Sequence, residues 1–138
     1  MTDVHSKEVR SFNMSRIRSK NTKPELLVRK YLFSRGFRFR LHKKDLPGKP
    51  DIVLSKYKTV IFVHGCFWHG HYNCKYFVMP KTRMVWWLNK INTNKANDIK
   101  TINALKKDGW KIITIWECKL KSAKIEKTLL SLLKKIIL

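Results

Sequence analysis

Acidic side chains are scarce. Nine Asp and Glu stand against 31 Lys and Arg in 138 residues, leaving a net charge of +22 with histidine neutral. A field of that size opposes compaction unless a polyanion neutralises it, and nucleic acid is the commonest such polyanion. A pocket for a small anion needs only a few cations, so that class is excluded. Glycine (five) and proline (four) are also few, and no low-complexity linker or internal repeat is present. No apolar run approaches the roughly 20 residues that cross a bilayer, and residues 1–10 are too polar for a signal peptide. The expected setting is cytoplasmic and reducing, without a membrane. There, three cysteines, an odd number, read as metal ligands, a nucleophile or core filler before disulfides.

What is present is enough for one packed domain: 43% of residues are hydrophobic. Residues 1–20 are polar and basic and read as a flexible arm that orders on a partner, leaving 21–138 as the folded domain. Thr22, Pro24 and Glu25 make a helix start of the capping-box type, followed by an apolar stripe of Leu26, Leu27, Tyr31 and Leu32 up to Gly36. Alternation over 37–41 predicts a strand with one buried face. Two β-rich runs, 51–54 and 59–63, predict a hairpin turning near Tyr57, which sets Asp51 opposite Val63 and beside His64. Residues 64–80 carry too much Gly, His and Cys for a regular element. Helical pattern runs over 82–108 with a break near Asn92, a strand over 110–116 has Trp110 and Trp116 in the core, and Ser122 caps a last helix. The order α-β-β-β-α-β-α predicts an α/β fold: a mixed central sheet flanked by helices.

Three constellations carry chemistry. Cys66, His71, Cys74 and Cys118 supply three thiolates and an imidazole, a closed tetrahedral set of structural zinc type. The alternative is a buried core thiol at Cys118 with incidental neighbours, but a loop so poor in apolar filler needs something to fix it. Asp51, after Pro50, is a carboxylate kept on a polyanion-binding protein, which a divalent cation explains. His64 and His69 flank the cysteine loop, and an imidazole moves protons near neutrality or contacts phosphate. Glu25 either completes its capping box or serves the metal's surroundings. Phe67 and Trp68, in a polar loop with no core to join, and Trp86 and Trp87, adjacent on a helix, are aromatic candidates for entering a base stack. Met14 alone is as well explained by packing.

The Pro50-Asp51 placement in this element order resembles the restriction-endonuclease-like nuclease core, although no second carboxylate follows on the next strand. The run Val60-Ile61-Phe62-Val63-His64-Gly65-Cys66-Phe67-Trp68-His69-Gly70-His71 narrows the likeness. Together with Leu46-Pro47-Gly48-Lys49-Pro50-Asp51, Pro80-Lys81-Thr82-Arg83, Trp116-Glu117-Cys118 and Asn13-Met14-Ser15-Arg16-Ile17, it closely resembles the very-short-patch repair (Vsr) DNA mismatch endonucleases. The resemblance implies a magnesium-dependent nickase cutting 5′ to the thymine of T·G mismatches left by deamination of 5-methylcytosine, acting near the nucleoid as a monomer. It implies magnesium on Asp51 and the backbone carbonyl of Val63, with Val standing where relatives commonly have Thr. It places His64 and His69 on the water and phosphate, with Glu25 just outside the ligands, and zinc on Cys66, His71, Cys74 and Cys118. Phe67, Trp68 and Trp87 would be the wedge, with Arg83 beside it on the DNA and Met14 meeting it from the minor groove. A T·G pair is poorly stacked, so a wedge unstacks it at least cost. Partners implied are mismatched duplex DNA, a companion cytosine-5 methyltransferase and other mismatch-repair proteins. Two other readings fit the residues: a restriction-type endonuclease on paired DNA, and an inactive zinc-stabilised DNA-binding module.

Overall fold

A computed structural model describes residues 22–138; the basic arm, with Met14, lies outside them. Helix α1 is Lys23–Ser34. Thr22 stands before it in extended conformation and its hydroxyl accepts the Glu25 N–H at 3.4 Å, while Pro24 falls in the first turn, where its missing donor costs nothing. Val28 and Leu32 are fully buried on its inner face, and Gly36 ends it at φ +85°, a left-handed turn that suits a residue without Cβ.

The sheet has four strands in the order β1 (Arg40–Leu41), β2 (Ile52–Leu54), β3 (Thr59–His64) and β4 (Lys111–Trp116). The first two pairings are antiparallel; β3 and β4 run parallel from Thr59↔Lys111 to His64↔Trp116. Helix α2 (Met84–Lys107) makes the crossover that a parallel pair requires. Helix α3 (Ile125–Ile137) closes the chain.

Alternate strand residues divide between two cores. Ile52, Leu54, Ile61, Ile113 and Ile115 pack with Val28 and Leu32 of α1 and Leu129, Leu132 and Ile136 of α3. Val53, Val60 and Phe62 pack with Leu105 of α2. The sheet is thus covered on both faces, which is why β3 reads as a continuous apolar run. Each fully buried Leu or Ile contributes about 1.5–3 kcal/mol, so the sheet centre is the most stable part of the frame. This is the α/β restriction-endonuclease-like architecture expected from the sequence. No helix of the described residues is long and apolar enough to cross a membrane.

Local expectations needed correction in five places. The strand over 37–41 shrinks to Arg40–Leu41, both exposed, because Phe37 leaves the ladder to bury its ring 5.5 Å from Tyr57. The hairpin turns through a 3₁₀ segment at Ser55–Tyr57 and a left-handed Lys58 (φ +50°). That shifts the register by one: Ile52 pairs with Ile61, so Asp51 falls across from Phe62 rather than Val63. Helix α2 has no break near Asn92; it runs straight from a left-handed Arg83 (φ +55°). Ser122 caps nothing; α3 begins after Lys124 with no side-chain cap, its place set by the burial of Leu129, Leu132 and Ile136. Trp110 is half-buried against the α2-side core, whereas half-buried Trp116 turns to histidines of the loop.

Candidate active site

The loop after β3 folds back on itself. The His69 N–H donates to the Gly65 carbonyl at 3.2 Å, the Gly70 N–H to Phe67 at 3.2 Å and the His71 N–H to Cys66 at 2.9 Å. Gly70, at φ +60°, lies so close to α2 that a Cβ there would meet Ile91 Cγ2 at 2.7 Å. This tight turn sends His69 and His71 to different neighbours.

His71 goes to the cysteines. Nitrogen or sulfur atoms of Cys66, His71, Cys74 and Cys118 all lie within 4.8 Å of one another. The His71 Nδ1 to Cys118 Sγ distance is 3.5 Å. Bonds of about 2.3 Å to sulfur and about 2.0 Å to nitrogen give a tetrahedral S···N edge of about 3.5 Å, so the cluster fits zinc in chemistry and in spacing. Left-handed Asn73 (φ +52°) makes the bend that brings Cys74 in. The His71 ring stacks on Trp116 at 4.0 Å and 5°, and Glu117 accepts the Cys66 N–H at 3.0 Å. Burial pushes the Cys66 thiol up to about 12, with Cys118 and Cys74 beside it adding to the rise. A bound cation would offset that cost at Cys66.

His69 goes to α2. Its Nδ1 lies 2.7 Å from Asp98 Oδ2, and its ring stacks on His64 at 3.7 Å and 3°. His64 is buried, edged by Trp116 and Phe62. Burial, with His69 beside it, holds His64 down to about 3, so its ring is neutral near pH 7. Its Nδ1 is the one buried side-chain polar atom among the described residues that lacks a hydrogen-bond partner. Such an atom is costly unless something occupies it.

The carboxylates lie at the start of β2. Asp51 Oδ2 accepts the Val63 N–H at 2.8 Å, the contact that survives the one-step register shift. Burial pushes Asp51 up to about 6, against the pull of that N–H, and neighbouring Glu25 adds to the rise. Glu25 is 1% exposed. Its Oε2 takes Arg29 Nη1 at 2.8 Å and His42 Nε2 at 2.9 Å, so the carboxylate is built into the site as well as into the helix start. Oxygen or nitrogen atoms of Glu25, His42 and Asp51 converge within 4.8 Å, as do those of His64, His69 and Asp98. Both groups have donor sets that suit a divalent cation.

Above the loop stands an aromatic cluster. Phe67, Trp68 and Trp87 contact one another with centroids 5.2–5.6 Å apart, and Trp86 meets Trp87 edge-on at 4.7 Å. Of the adjacent pair only Trp87 is half-buried, as helical spacing demands. The Arg83 guanidinium lies over the Trp86 ring, and Asn94 donates to the Trp68 carbonyl at 2.8 Å. Met84, Val85 and Leu88 are exposed beside it, an apolar patch on a cationic protein.

Every expected site residue within the described chain therefore falls in one of these groups. Sequence reasoning missed Asp98, His42, Arg29, Asn94 and Glu117. Asp98 had a signal: it is one of nine acidic residues, on a helix otherwise rich in lysine, and the scarcity that marked Asp51 marks it too. The pairing of His42 with Glu25 had none, because it depends on a backbone turn.

The model of the family described as DNA mismatch endonuclease Vsr matches residues 2–75. The Type II nicking enzyme V.NmeAIP of Neisseria meningitidis is 54% identical, over 91% of this chain and 89% of that protein. The Type II nicking enzyme V.XorIIP of Xanthomonas oryzae is 51% identical, over 87% of this chain and 88% of the relative. The DNA mismatch endonuclease Vsr of Escherichia coli is 43% identical, over 88% of this chain and 77% of its own length. A thiol cluster suited to zinc, a carboxylate and paired imidazoles around one loop, and these matches converge: the chain belongs to the Vsr family of DNA mismatch endonucleases.

Proposed function

We propose that this protein nicks one strand of duplex DNA 5′ to the thymine of a T·G mismatch, the lesion left when 5-methylcytosine deaminates, using magnesium. One observation carries the reading. The Asp51 carboxylate, on the Val63 N–H, and the His64–His69–Asp98 group both gather at the C-terminal end of β3, and the loop leaving it bears Phe67 and Trp68. Scission and unstacking groups thus meet around the end of one strand.

Asp51 and the Val63 carbonyl would hold the magnesium. In an antiparallel ladder a residue's N–H and C=O leave the strand on the same side, so the bond from the Val63 N–H to Asp51 puts that carbonyl toward the same place. Val63 serves as well as threonine for this, since no side chain is used. Bound there, the ion supplies Lewis-acid polarisation of the scissile phosphate. Asp98 holds His69 by Nδ1, leaving Nε2 to take the proton of the attacking water as its oxygen bonds to phosphorus. The P–O3′ bond breaks, and the departing oxygen is protonated from solvent. His64, neutral through burial, hydrogen-bonds the phosphate. Zinc on Cys66, His71, Cys74 and Cys118 fixes the loop. Phe67, Trp68 and Trp87 enter the mismatched step, with Arg83 on the backbone and Met14 of the arm opposite. The excess of lysine supplies affinity that is independent of sequence and falls steeply with salt. A companion cytosine-5 methyltransferase sets the flanking sequence, and other mismatch-repair proteins share the substrate.

The test is an end-labelled T·G duplex and its fully paired counterpart, each with and without magnesium. Nicking of one strand of the mismatched duplex, only with magnesium, is the expected result. Cutting of both duplexes would make it a restriction-type enzyme, and retention without cleavage an inactive binding module.

A further inference from the structure

Buried Glu25 on α1 and half-buried Asp51 just before β2 come from different elements, and their side chains meet across that seam. His42 touches both residues. Its backbone N–H donates to the Asp51 carbonyl at 3.3 Å, and its ring Nε2 lies 2.9 Å from Glu25 Oε2. It does this at φ +47°, a left-handed conformation that few residues other than glycine adopt, histidine among them. The strand before it cannot supply the register by burial, since β1 is two residues long with both side chains exposed. Arg29 reaches the same oxygen at 2.8 Å from one turn further along α1, and so orients Glu25 within its own helix. His42 thus bridges the two elements beside the side-chain contact of Glu25 with Asp51, touching the backbone of one and the carboxylate of the other.

We infer that His42 is a positioning residue of the nicking reaction: with a proton on Nε2 it donates to Glu25 and fixes that carboxylate beside Asp51, just outside the ligands of the cation that Asp51 and the Val63 carbonyl would hold. The inference rests on the proposed magnesium site and adds a residue to it. Groups that orient metal-site residues without touching the ion typically change affinity or activity about 10- to 100-fold when removed.

Three variants separate the ring from the backbone turn. His42→Ala removes the ring, His42→Gly removes it while relieving the left-handed backbone, and His42→Gln restores a neutral N–H donor of similar reach. For each, Mn²⁺ binding is followed by the loss of the free-ion paramagnetic resonance signal. The magnesium dependence of single-turnover nicking, the melting temperature and the metal-free affinity for duplex are measured beside it. Ala and Gly should each weaken Mn²⁺ binding, and raise the magnesium needed, by about tenfold. Melting temperature and duplex affinity should stay near wild type, and Gln should recover most of the loss. A Gly variant with wild-type cation binding would overturn the inference in favour of the turn alone, and a Gln variant no better than Ala would overturn the hydrogen bond. A wild type that nicks without any divalent cation would remove the magnesium site and the inference together. A cation-dependent wild type with three indifferent variants would remove only the inference.

Discussion

The three donor clusters around the end of β3 follow two opposite plans. The cysteine cluster offers four side chains, all soft or borderline, at spacings that close a tetrahedron, in a loop with little apolar filler. The carboxylate and imidazole groups include hard carboxylate oxygens, and their members are already bound to something else: Asp51 to a backbone N–H, Glu25 to Arg29 and His42, His69 to Asp98. The first plan suits an ion that replaces a core. The second suits an ion that must leave room for substrate, with its surroundings fixed beforehand by hydrogen bonds. The same chain segment serves both, because Gly70 turns His69 one way and His71 the other.

If the cysteine cluster replaces a core, breaking it should produce the largest effect. Cys118→Ser should lose zinc and most of the cooperative melting transition, since structural zinc is worth about 10–16 kcal/mol to small domains at neutral pH. Metal analysis of the purified wild type should find one zinc per chain. A zinc-free wild type that melts cooperatively would erase the contrast. Asp98→Asn breaks the other plan without touching the first: zinc content and melting should hold while nicking falls by about a hundredfold or more, because His69 loses the anion that orients it. Full nicking rate in that variant would leave His69 as a phosphate contact.

The contrast was half legible from the chain alone. The cysteine cluster could be named because three of its members lie within nine residues and thiols are few. The element order could be named because β3 is apolar throughout and α3 has a clear stripe. What escaped was contact between distant elements. Asp98 reaches His69 from 29 residues away, and nothing in helical spacing says which face of a lysine-rich α2 meets the loop. The hairpin register slipped by one because a 3₁₀ turn with a left-handed Lys58 is indistinguishable in sequence from a tight turn at Tyr57. Glu25 was legible in both of its parts, as a capping-box residue and as a neighbour of the metal ligands: the Thr22 contact supports the first, and its oxygen lies within 4.8 Å of donor atoms of Asp51 and His42.

A smaller effect sharpens the carboxylate side. Asp51 is raised from the ordinary carboxylate range to about 6 in the folded chain, chiefly by burial, with Glu25 adding. Without divalent cations the folded state therefore holds this proton more tightly than the unfolded state. The associated stability is present at pH 4 and is lost as pH rises to about 6 and beyond, a swing on the order of 2–3 kcal/mol. Asp51→Asn has no such titration, so its stability relative to wild type should climb between pH 4 and pH 7 in magnesium-free buffer. Added magnesium should reverse the gap by binding wild type alone. A constant difference across that range would mean that Asp51 is not strained by burial.

The smallest effect concerns the aromatic cluster above both. Phe67, Trp68 and Trp87 brace one another, so removing a single ring leaves the others in place. A ring that only packs should weaken matched and mismatched duplex alike. A ring that enters a base step adds stacking worth about 1–3 kcal/mol, and it does so at least cost where the step is already poorly stacked. Trp68→Ala should therefore lower the preference for T·G over paired duplex by about tenfold while changing affinity for the paired duplex little. Competition between the two duplexes at fixed salt measures that ratio directly, and an equal loss on both would return Trp68 to the packing of its loop.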